Sequence, residues 1–304
     1  MTIADIELFS IDAGCQRPGQ QARPILVRLT TPTGLEGWGE ALLDWRREEL
    51  ASRRMALLAV LAGRSVFEIE DLVGLSALRS AALRCAVEMA CWDLVGQIAN
   101  QPLCHLFGGG YRHRIPLAVR LTSTSPDEVV QLAREFADQG YHALIASSQG
   151  HLEDDLETVS AIRQFTRDRA DLAFDGAASY DMDGARDLCG GLENAGVRYV
   201  LDPLNTRDLD QVASLRRQTS VPLAVWRGVR SPADVLAVIR CGAASSVVID
   251  LGLVGGLSAA RKCAAIAQAA GLGACLAAGP SLGVGMAAML QLAAATPAFS
   301  HCHQ

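Results

Sequence analysis

The sequence predicts a modified (β/α)7–8, TIM-like barrel preceded by a smaller α+β capping domain, and three observations predict it. Residues 246–256, SVVIDLGLVGG, are a β-branched apolar run ending in Asp250, followed by glycines that open a helical segment. That is a buried parallel strand feeding a loop and a helix. From residue 116 onward the same strand–loop–helix unit recurs, and seven such units are visible. Units of this spacing imply a parallel sheet, and their number favours a closed barrel over an open doubly wound sheet. Residues 1–110 read differently, as an antiparallel meander followed by helices. The chain therefore divides into a capping domain, 1–110, and a barrel domain, 111–304.

In the capping domain, residues 3–12 and 25–31 alternate as strands. Thr31-Pro32-Thr33-Gly34 is a turn, and 35–41 returns as a third strand. A helix is expected over 45–61, a short piece near 68–72, and a longer helix over 76–99 with Leu83, Val87, Cys91, Leu94 and Ile98 on one face. Asn100-Gln101-Pro102 ends it. In the barrel the expected strands are 116–121, 142–147, 171–175, 197–201, 222–226, 246–250 and 273–277. The expected helices are 126–138, 153–168, 182–194, 208–218, 231–240, 256–270 and 283–295. Ser125 and Pro126 supply an N-cap and a first helical residue. Residues 298–303 can form a short eighth strand.

Composition narrows the function. A net charge of −6 and the absence of a basic cluster with interleaved aromatics argue against a nucleic-acid partner. No apolar run reaches the length of a membrane span, and the N-terminus alternates like a strand instead of resembling a signal peptide; a cytoplasmic protein is expected. The nine cysteines contain no CxxC pair and read as reduced core thiols. No GxGxxG follows a strand, so dinucleotide binding has no support. The tail His301-Cys302-His303 is expected to be loose, able to bind metal only adventitiously. Lys262 is the single lysine, so any mechanism needing a lysine base has one candidate.

Particular stretches make the fold more specific. Gly34-Leu35-Glu36-Gly37-Trp38-Gly39-Glu40 resembles the GxxGWGE hairpin of the enolase superfamily. Residues 86–94, AVEMACWDL, resemble its AxxxAxWDL helix. Val254-Gly255-Gly256-Leu257 with Ala260-Arg261-Lys262 resembles its VGGxxxARK segment, and residues 283–288 its helix after the seventh barrel strand. The chain is similar to the mandelate racemase and muconate lactonizing branch. That resemblance implies three acidic ligands at the ends of barrel strands three, four and five, holding a Mg²⁺ that stabilises an enediolate formed by α-proton removal from a carboxylate. It also implies a base: a lysine of a KxK motif on strand two, a lysine on strand six, or an Asp–His pair on strands six and seven.

The chain departs from this pattern. The KxK lysines become Ile145 and Ser147. Asp175 matches the first metal ligand, but the usual Asn two residues on is Ala177. At the end of strand four Leu201 stands at the ligand position, with Asp202 one residue off and expected on the other face. At the strand-five position stands Trp226 or Arg227. Asp250 matches the aspartate of the racemase pair, yet its histidine partner falls near Ala277. The loop over 14–21 and the end of the chain at Gln304 are short for the family, implying a reduced lid, and apolar surface left uncovered would favour a homo-oligomer.

Three site residues follow. Asp175 is a remnant metal ligand, with the alternative of a turn-former before Gly176. Asp250 is a candidate base, with the alternative of capping backbone N–H groups near 252–256. Arg227 puts a fixed positive charge at the metal position and offers a planar fork to a substrate carboxylate. Cys275 reads as a core thiol, Trp38 and Trp92 as packing, and Trp226 as filling the metal space; among the six histidines only His151 is expected near the mouth. The expectation is a relative that has lost Mg²⁺-dependent proton abstraction, binds no metal, and takes a small carboxylate ligand. The alternative is a divergent racemase, cycloisomerase or dehydratase acting on such a carboxylate.

Overall fold

The structure is a computed structural model and describes residues 1–11, 23–122, 125–166, 169–279 and 281–304. Cys15 and the loop expected to be short at 14–21 lie outside the described residues. In chain order the elements are β1 (Asp5–Ser10), β2 (Arg23–Thr30), β3 (Glu36–Leu43), α1 (Leu50–Leu61), α2 (Ile69–Val73), α3 (Ala81–Ala99) and α4 (Leu103–Leu106). There follow β4 (Val119–Arg120), α5 (Pro126–Asp138), β5 (Ala143–Ser147), α6 (Leu152–Thr166), β6 (Asp171–Asp175), α7 (Met182–Leu192), β7 (Val197–Leu201) and α8 (Leu209–Arg216). The last are β8 (Leu223–Val225), α9 (Pro232–Cys241), β9 (Ser246–Asp250), α10 (Leu251–Val254), α11 (Leu257–Ala269), β10 (Gly273–Ala277) and α12 (Gly283–Ala295).

The chain forms two compact units. The first comprises Met1–Ile115, Asp250–Cys263 and Leu276–Pro297. Its sheet is antiparallel in the order β1-β2-β3. Ile25, Val27 and Leu29, two residues apart on β2, point into the core, as a period of two requires. The turn between β2 and β3 closes through Gly34, whose N–H reaches the Thr31 carbonyl and whose φ is +83°.

Helix α3 packs on this sheet across two close approaches. A Cβ on Gly37 would lie 2.2 Å from the Ala90 carbonyl oxygen, and one on Gly39 would lie 1.8 Å from that of Ala86. Only glycine lets the two backbones approach that closely. The helix starts later than expected. Residues 76–78 form a 3-10 turn, and the Ser80 hydroxyl then caps α3 by accepting from the Leu83 N–H. Its expected face of Leu83, Val87, Cys91 and Leu94 is buried, but so are Cys85, Ala86, Met89 and Ala90. A helix buried on more than one side carries little amphipathic signal. The helix expected over 45–61 likewise begins with a 3-10 turn at 47–49 and becomes α1 at Leu50.

The second unit comprises Pro116–Ile249, Ala264–Cys275 and Ala298–Gln304. The parallel strands run in the order β10-β9-β8-β7-β6-β5-β4, so β4 to β10 are barrel strands one to seven. Four of these strands, β6, β7, β9 and β10, match the expected bounds; β4 shrinks from six expected residues to two. The helix expected over 256–270 is α11, and a short helix not expected from the sequence, α10, precedes it; Gly255 and Gly256, at φ of +94° and +130°, separate the two.

The tail is ordered, against the expectation of a loose end. Ser300 N–H donates to the Ala274 carbonyl at 3.0 Å. His303 donates to Pro116 at 2.9 Å and accepts from Ala118 at 2.7 Å, and it is fully buried. Residues 298–304 thus bridge the two outer strands of the sheet as the eighth barrel position. Unpaired strand edges need hydrogen-bond partners, and the tail supplies them.

Candidate functional site

In the second unit, register places Ser147, Asp175, Leu201 and Ala224 side by side at the C-terminal strand ends. This is the end at which (β/α) barrels carry chemistry. Asp175 is buried, with 1% of its side chain exposed, and it does not stand alone. Its Oδ1 accepts from Arg227 Nη1 and its Oδ2 from Arg227 Nη2, both at 2.9 Å. That is a two-pronged guanidinium–carboxylate pair. Oδ2 also accepts from Arg120 Nη1 at 2.7 Å, and Oδ1 accepts from the Ala177 N–H at 2.9 Å. The turn-forming role and the ion pair coexist on one carboxylate.

Asp202 corrects an expectation. It was expected on the other face of its strand, yet its Oδ2 accepts from Arg227 Nη1 at 3.0 Å and from the Arg227 N–H at 2.8 Å, while Oδ1 accepts from the Trp226 N–H at 3.0 Å. The reason is local backbone geometry. Asp202 adopts φ +41°, outside the strand, so the alternation of faces no longer governs it. Ala177 and Ala178 are also left-handed, at φ +54° and +56°. Three non-glycine residues in this region cluster on the two loops that hold Arg227, and such strain collects where surrounding contacts over-determine the backbone.

Two further arginine contacts complete the cluster. Arg120 bonds the Ser147 hydroxyl at 2.9 Å and Gln304 Oε1 at 2.6 Å. The guanidinium carbons of Arg120 and Arg227 lie 5.0 and 4.9 Å from the centre of the Trp226 ring, within cation–π range. Two cations and two carboxylates make the cluster neutral overall. Arg120 was missed in the sequence. The available signal was a charged residue inside an otherwise apolar barrel strand.

Electrostatics follow the contacts. Burial alone would raise Asp175, but the hydrogen bonds and charges of Arg227 and Arg120 outweigh it and hold its carboxyl below the ordinary value. Asp202 receives only one guanidinium N–H, so burial prevails and its carboxyl lies above the ordinary value. Burial lowers Arg227, while Asp175 and Asp202 raise it by more.

Asp250 belongs to the first unit. Its Oδ1 accepts from Gly252 N–H at 2.9 Å and Leu253 N–H at 3.1 Å, capping α10, and the residue is 7% exposed. The capping geometry is therefore present. Lys262 pairs with Glu70 at 2.9 Å on the surface. His151 is exposed, and its carbonyl accepts from the Asp155 N–H.

The first unit also buries Glu88 of α3. Its Oε1 accepts from Ser258 N–H at 2.8 Å, Ser258 Oγ at 2.5 Å and Trp92 Nε1 at 3.1 Å. Burial raises the Glu88 carboxyl, and these donors only partly reverse it. A folded-state value above the unfolded one makes ionised Glu88 a cost that appears as pH rises through the carboxylate range and persists above it. In Glu88→Gln, the amide oxygen keeps the same three donors without the charge. The variant is expected to gain stability relative to the parent as pH rises from 4.5 to 8, measured by urea unfolding at each pH. A pH-independent difference would contradict the burial argument.

Fold and strand-end residues together define a (β/α)-barrel protein with a separate α+β unit built on a three-stranded antiparallel sheet, charged groups being gathered at the C-terminal ends of the barrel strands. Family comparison agrees. Residues 15–108 match the mandelate racemase/muconate lactonizing enzyme N-terminal domain, and residues 128–304 match the enolase C-terminal domain-like model. The chain belongs to the mandelate racemase/muconate lactonizing enzyme branch of the enolase superfamily. It is 25% identical to N-succinyl-L-Arg/Lys racemase of Bacillus cereus over 82% of this chain and 70% of the relative. It is 27% identical to muconate cycloisomerase 1 of Rhodococcus opacus over 98% of this chain and 85% of the relative. Its fold matches a dipeptide epimerase of Cytophaga hutchinsonii, solved with Mg and D-Ala-L-Val, with TM-score 0.90 and 19% identity, covering 100% of this chain and 86% of the other.

Family members use Mg²⁺, and the residues at this chain's strand ends do not fit one. Mg²⁺ requires oxygen ligands converging on one point in near-octahedral geometry. Here the Asp175 and Asp202 carboxylates converge on the Arg227 guanidinium, a cation that repels another. Among the described residues, no group of three or more His, Cys, Asp or Glu side chains is placed to hold a metal ion. No helix among them is long and apolar enough to cross a membrane.

Proposed function

We propose that this chain recognises a small carboxylate-bearing molecule without the Mg²⁺-assisted α-proton abstraction of its superfamily. One observation carries the reading: the Arg227 guanidinium lies between Asp175 and Asp202, so a fixed protein cation holds the carboxylates that a metal would need. The cluster is already balanced in charge. A ligand carboxylate can engage Arg227 only by sharing or displacing these partners, and the guanidinium's fork geometry permits such an exchange.

A second reading is a metal-independent isomerase acting on a carboxylate. The relatives favour an enzyme over a binder, because those matching over most of this chain are racemases, epimerases, cycloisomerases and a dehydratase. In that reading Asp250 is the candidate to take the α-proton. Removing a proton α to a carboxylate without a metal leaves the enediolate charge to hydrogen-bond donors alone, a large share of the barrier to supply.

The test uses substrates named by the relatives. The EDTA-treated chain is titrated with Mg²⁺ by calorimetry. N-succinyl-L-arginine, L-Ala-L-Glu and muconate are then offered in D₂O, with α-proton exchange or lactone formation followed by NMR. Binding of a carboxylate that Arg227→Met weakens, with no turnover and no Mg²⁺ uptake, supports the first reading. Metal-independent turnover lost in Asp250→Asn establishes the second. Mg²⁺ binding that Asp175→Asn abolishes, with Mg²⁺-dependent turnover, overturns both.

A further inference from the structure

Two guanidiniums stand at the barrel strand ends, and their partners differ in kind. Both Nη atoms of Arg227 are taken by carboxylates, those of Asp175 and Asp202, whose side chains are only 1% and 10% exposed. Replacing one of them by a ligand carboxylate exchanges one charged acceptor for another and strands a buried anion. Arg120 Nη1 is likewise held by Asp175, at 2.7 Å, and by the Ser147 hydroxyl, at 2.9 Å. Its Nη2, in contrast, donates to a neutral acceptor, Gln304 Oε1, at 2.6 Å.

The Gln304 amide fits this place only by half. Its oxygen is bonded, but among the described residues nothing accepts from its Nε2, which is buried. A buried donor without a partner costs free energy, so the amide is a weakly held occupant. The guanidinium it covers is fixed independently, by Asp175, by Ser147 and by the Trp226 ring, whose centre lies 5.0 Å from the guanidinium carbon. Arg120 therefore stays in place when the Gln304 side chain leaves. A carboxylate is planar like the amide and has no N–H to strand. It also turns a neutral hydrogen bond to Arg120 into a charge-assisted one.

We propose that Arg120 receives the ligand's carboxylate, and that the Gln304 side chain is an internal occupant which the ligand displaces. The inference rests on the carboxylate reading of this site and locates it: the ligand enters at Arg120 Nη2 and leaves the bonds among Asp175, Arg227 and Asp202 intact. Arg227 then acts as a positioning residue, drawing on itself the Asp175 charge that would otherwise oppose the ligand. Rotation of the Gln304 side chain is enough, since the tail backbone keeps the bonds of His303 to Pro116 and Ala118.

The experiment titrates muconate by calorimetry at pH 7 into the full chain as parent, Gln304→Ala and Gln304→Glu. Gln304→Ala removes the competing acceptor and is expected to bind muconate about ten-fold more tightly, the ratio set by one neutral hydrogen bond to the arginine. Gln304→Glu supplies the chain's own carboxylate and is expected to weaken muconate about ten-fold. Adding Arg120→Met to Gln304→Ala is expected to remove the gain. The neutral diamide of muconate is expected to bind Gln304→Ala about ten-fold more weakly than muconate does. A Gln304 that only braces the tail predicts the opposite sign, weaker binding in Gln304→Ala. That result, or affinities within about two-fold across the three proteins, overturns the proposal. The carboxylate reading survives such a failure if Arg227→Met still weakens muconate. No binding of muconate to any of the three at millimolar concentration also overturns the proposal, and the carboxylate reading falls with it only if N-succinyl-L-arginine and L-Ala-L-Glu fail to bind as well.

Discussion

Arg227→Met is expected to lower the unfolding free energy by about 3 kcal/mol at pH 7, read by urea denaturation. Removing one partner of a buried ion pair typically costs about 3–5 kcal/mol, because it leaves an uncompensated charge in a poorly solvated place. The low end applies because Asp175 keeps Arg120 at 2.7 Å when Arg227 is lost. Asp202 keeps two backbone N–H donors but no cation.

The pH dependence gives the argument a second, independent check. In the parent, Asp175 titrates below its unfolded value, so its contribution is present above about pH 4 and is lost as pH falls toward its folded value. In the variant Asp202 loses its guanidinium and Asp175 keeps only that of Arg120, so both carboxyls rise and their ionisation is less favourable than in the parent. The difference between parent and variant should therefore grow from pH 4 to 7 and shrink on acidification. A variant within about 0.5 kcal/mol of the parent at pH 7 would show that the cluster is no more than a solvated surface pair.

Gly39→Ala is expected to cost about 4 kcal/mol, at the upper end for single substitutions. The new methyl would sit 1.8 Å from the Ala86 carbonyl oxygen and 2.7 Å from its carbon, both backbone atoms of α3. A flexible side chain could swing away; a carbonyl inside a helix cannot, so helix and sheet must separate. Gly34→Ala is the internal comparison. Nothing lies within 4 Å of its added methyl, and its φ of +83° leaves only conformational strain, worth about 1–2 kcal/mol. Thermal melts of the two variants should differ in that order. Equal losses would mean that turn strain, not the helix–sheet approach, makes the hairpin need glycine.

Much of the architecture was legible because it depends on short-range pattern. Buried parallel strands write themselves as apolar runs. Thus β6, β7, β9 and β10 fall where the runs at 171, 197, 246 and 273 place them. Amphipathic helices such as α5 are equally plain, with Pro126 at the first turn and Val129 and Ala133 on the buried face, although the Ser125 side chain expected to cap it makes no cap hydrogen bond. Starts marked by 3-10 turns were misplaced, because a turn at 47–49 or 76–78 has the composition of a helix and differs only in its hydrogen bonds.

The site was legible in part. Sequence alone placed Asp175 and Arg227 at the ends of the third and fifth barrel strands, with one strand between them, and offered Arg227, or else Trp226, at the metal position. It also left open the capping role that Asp250 shows. It could not bring Asp202 to the same guanidinium, because the left-handed turn at residue 202 is held by contacts with residues 224, 226 and 227 on the neighbouring strand and loop. Nor could it place Arg120 on Asp175, 55 positions away, or show that Gln304 reaches back to Arg120. The sequence by itself determined which segments are strands and helices, and which residue types stand at the strand ends. The tertiary structure decided which of those charges meet, because ion pairing depends on distances of about 3 Å between groups far apart in the chain, and local periodicity carries no record of them.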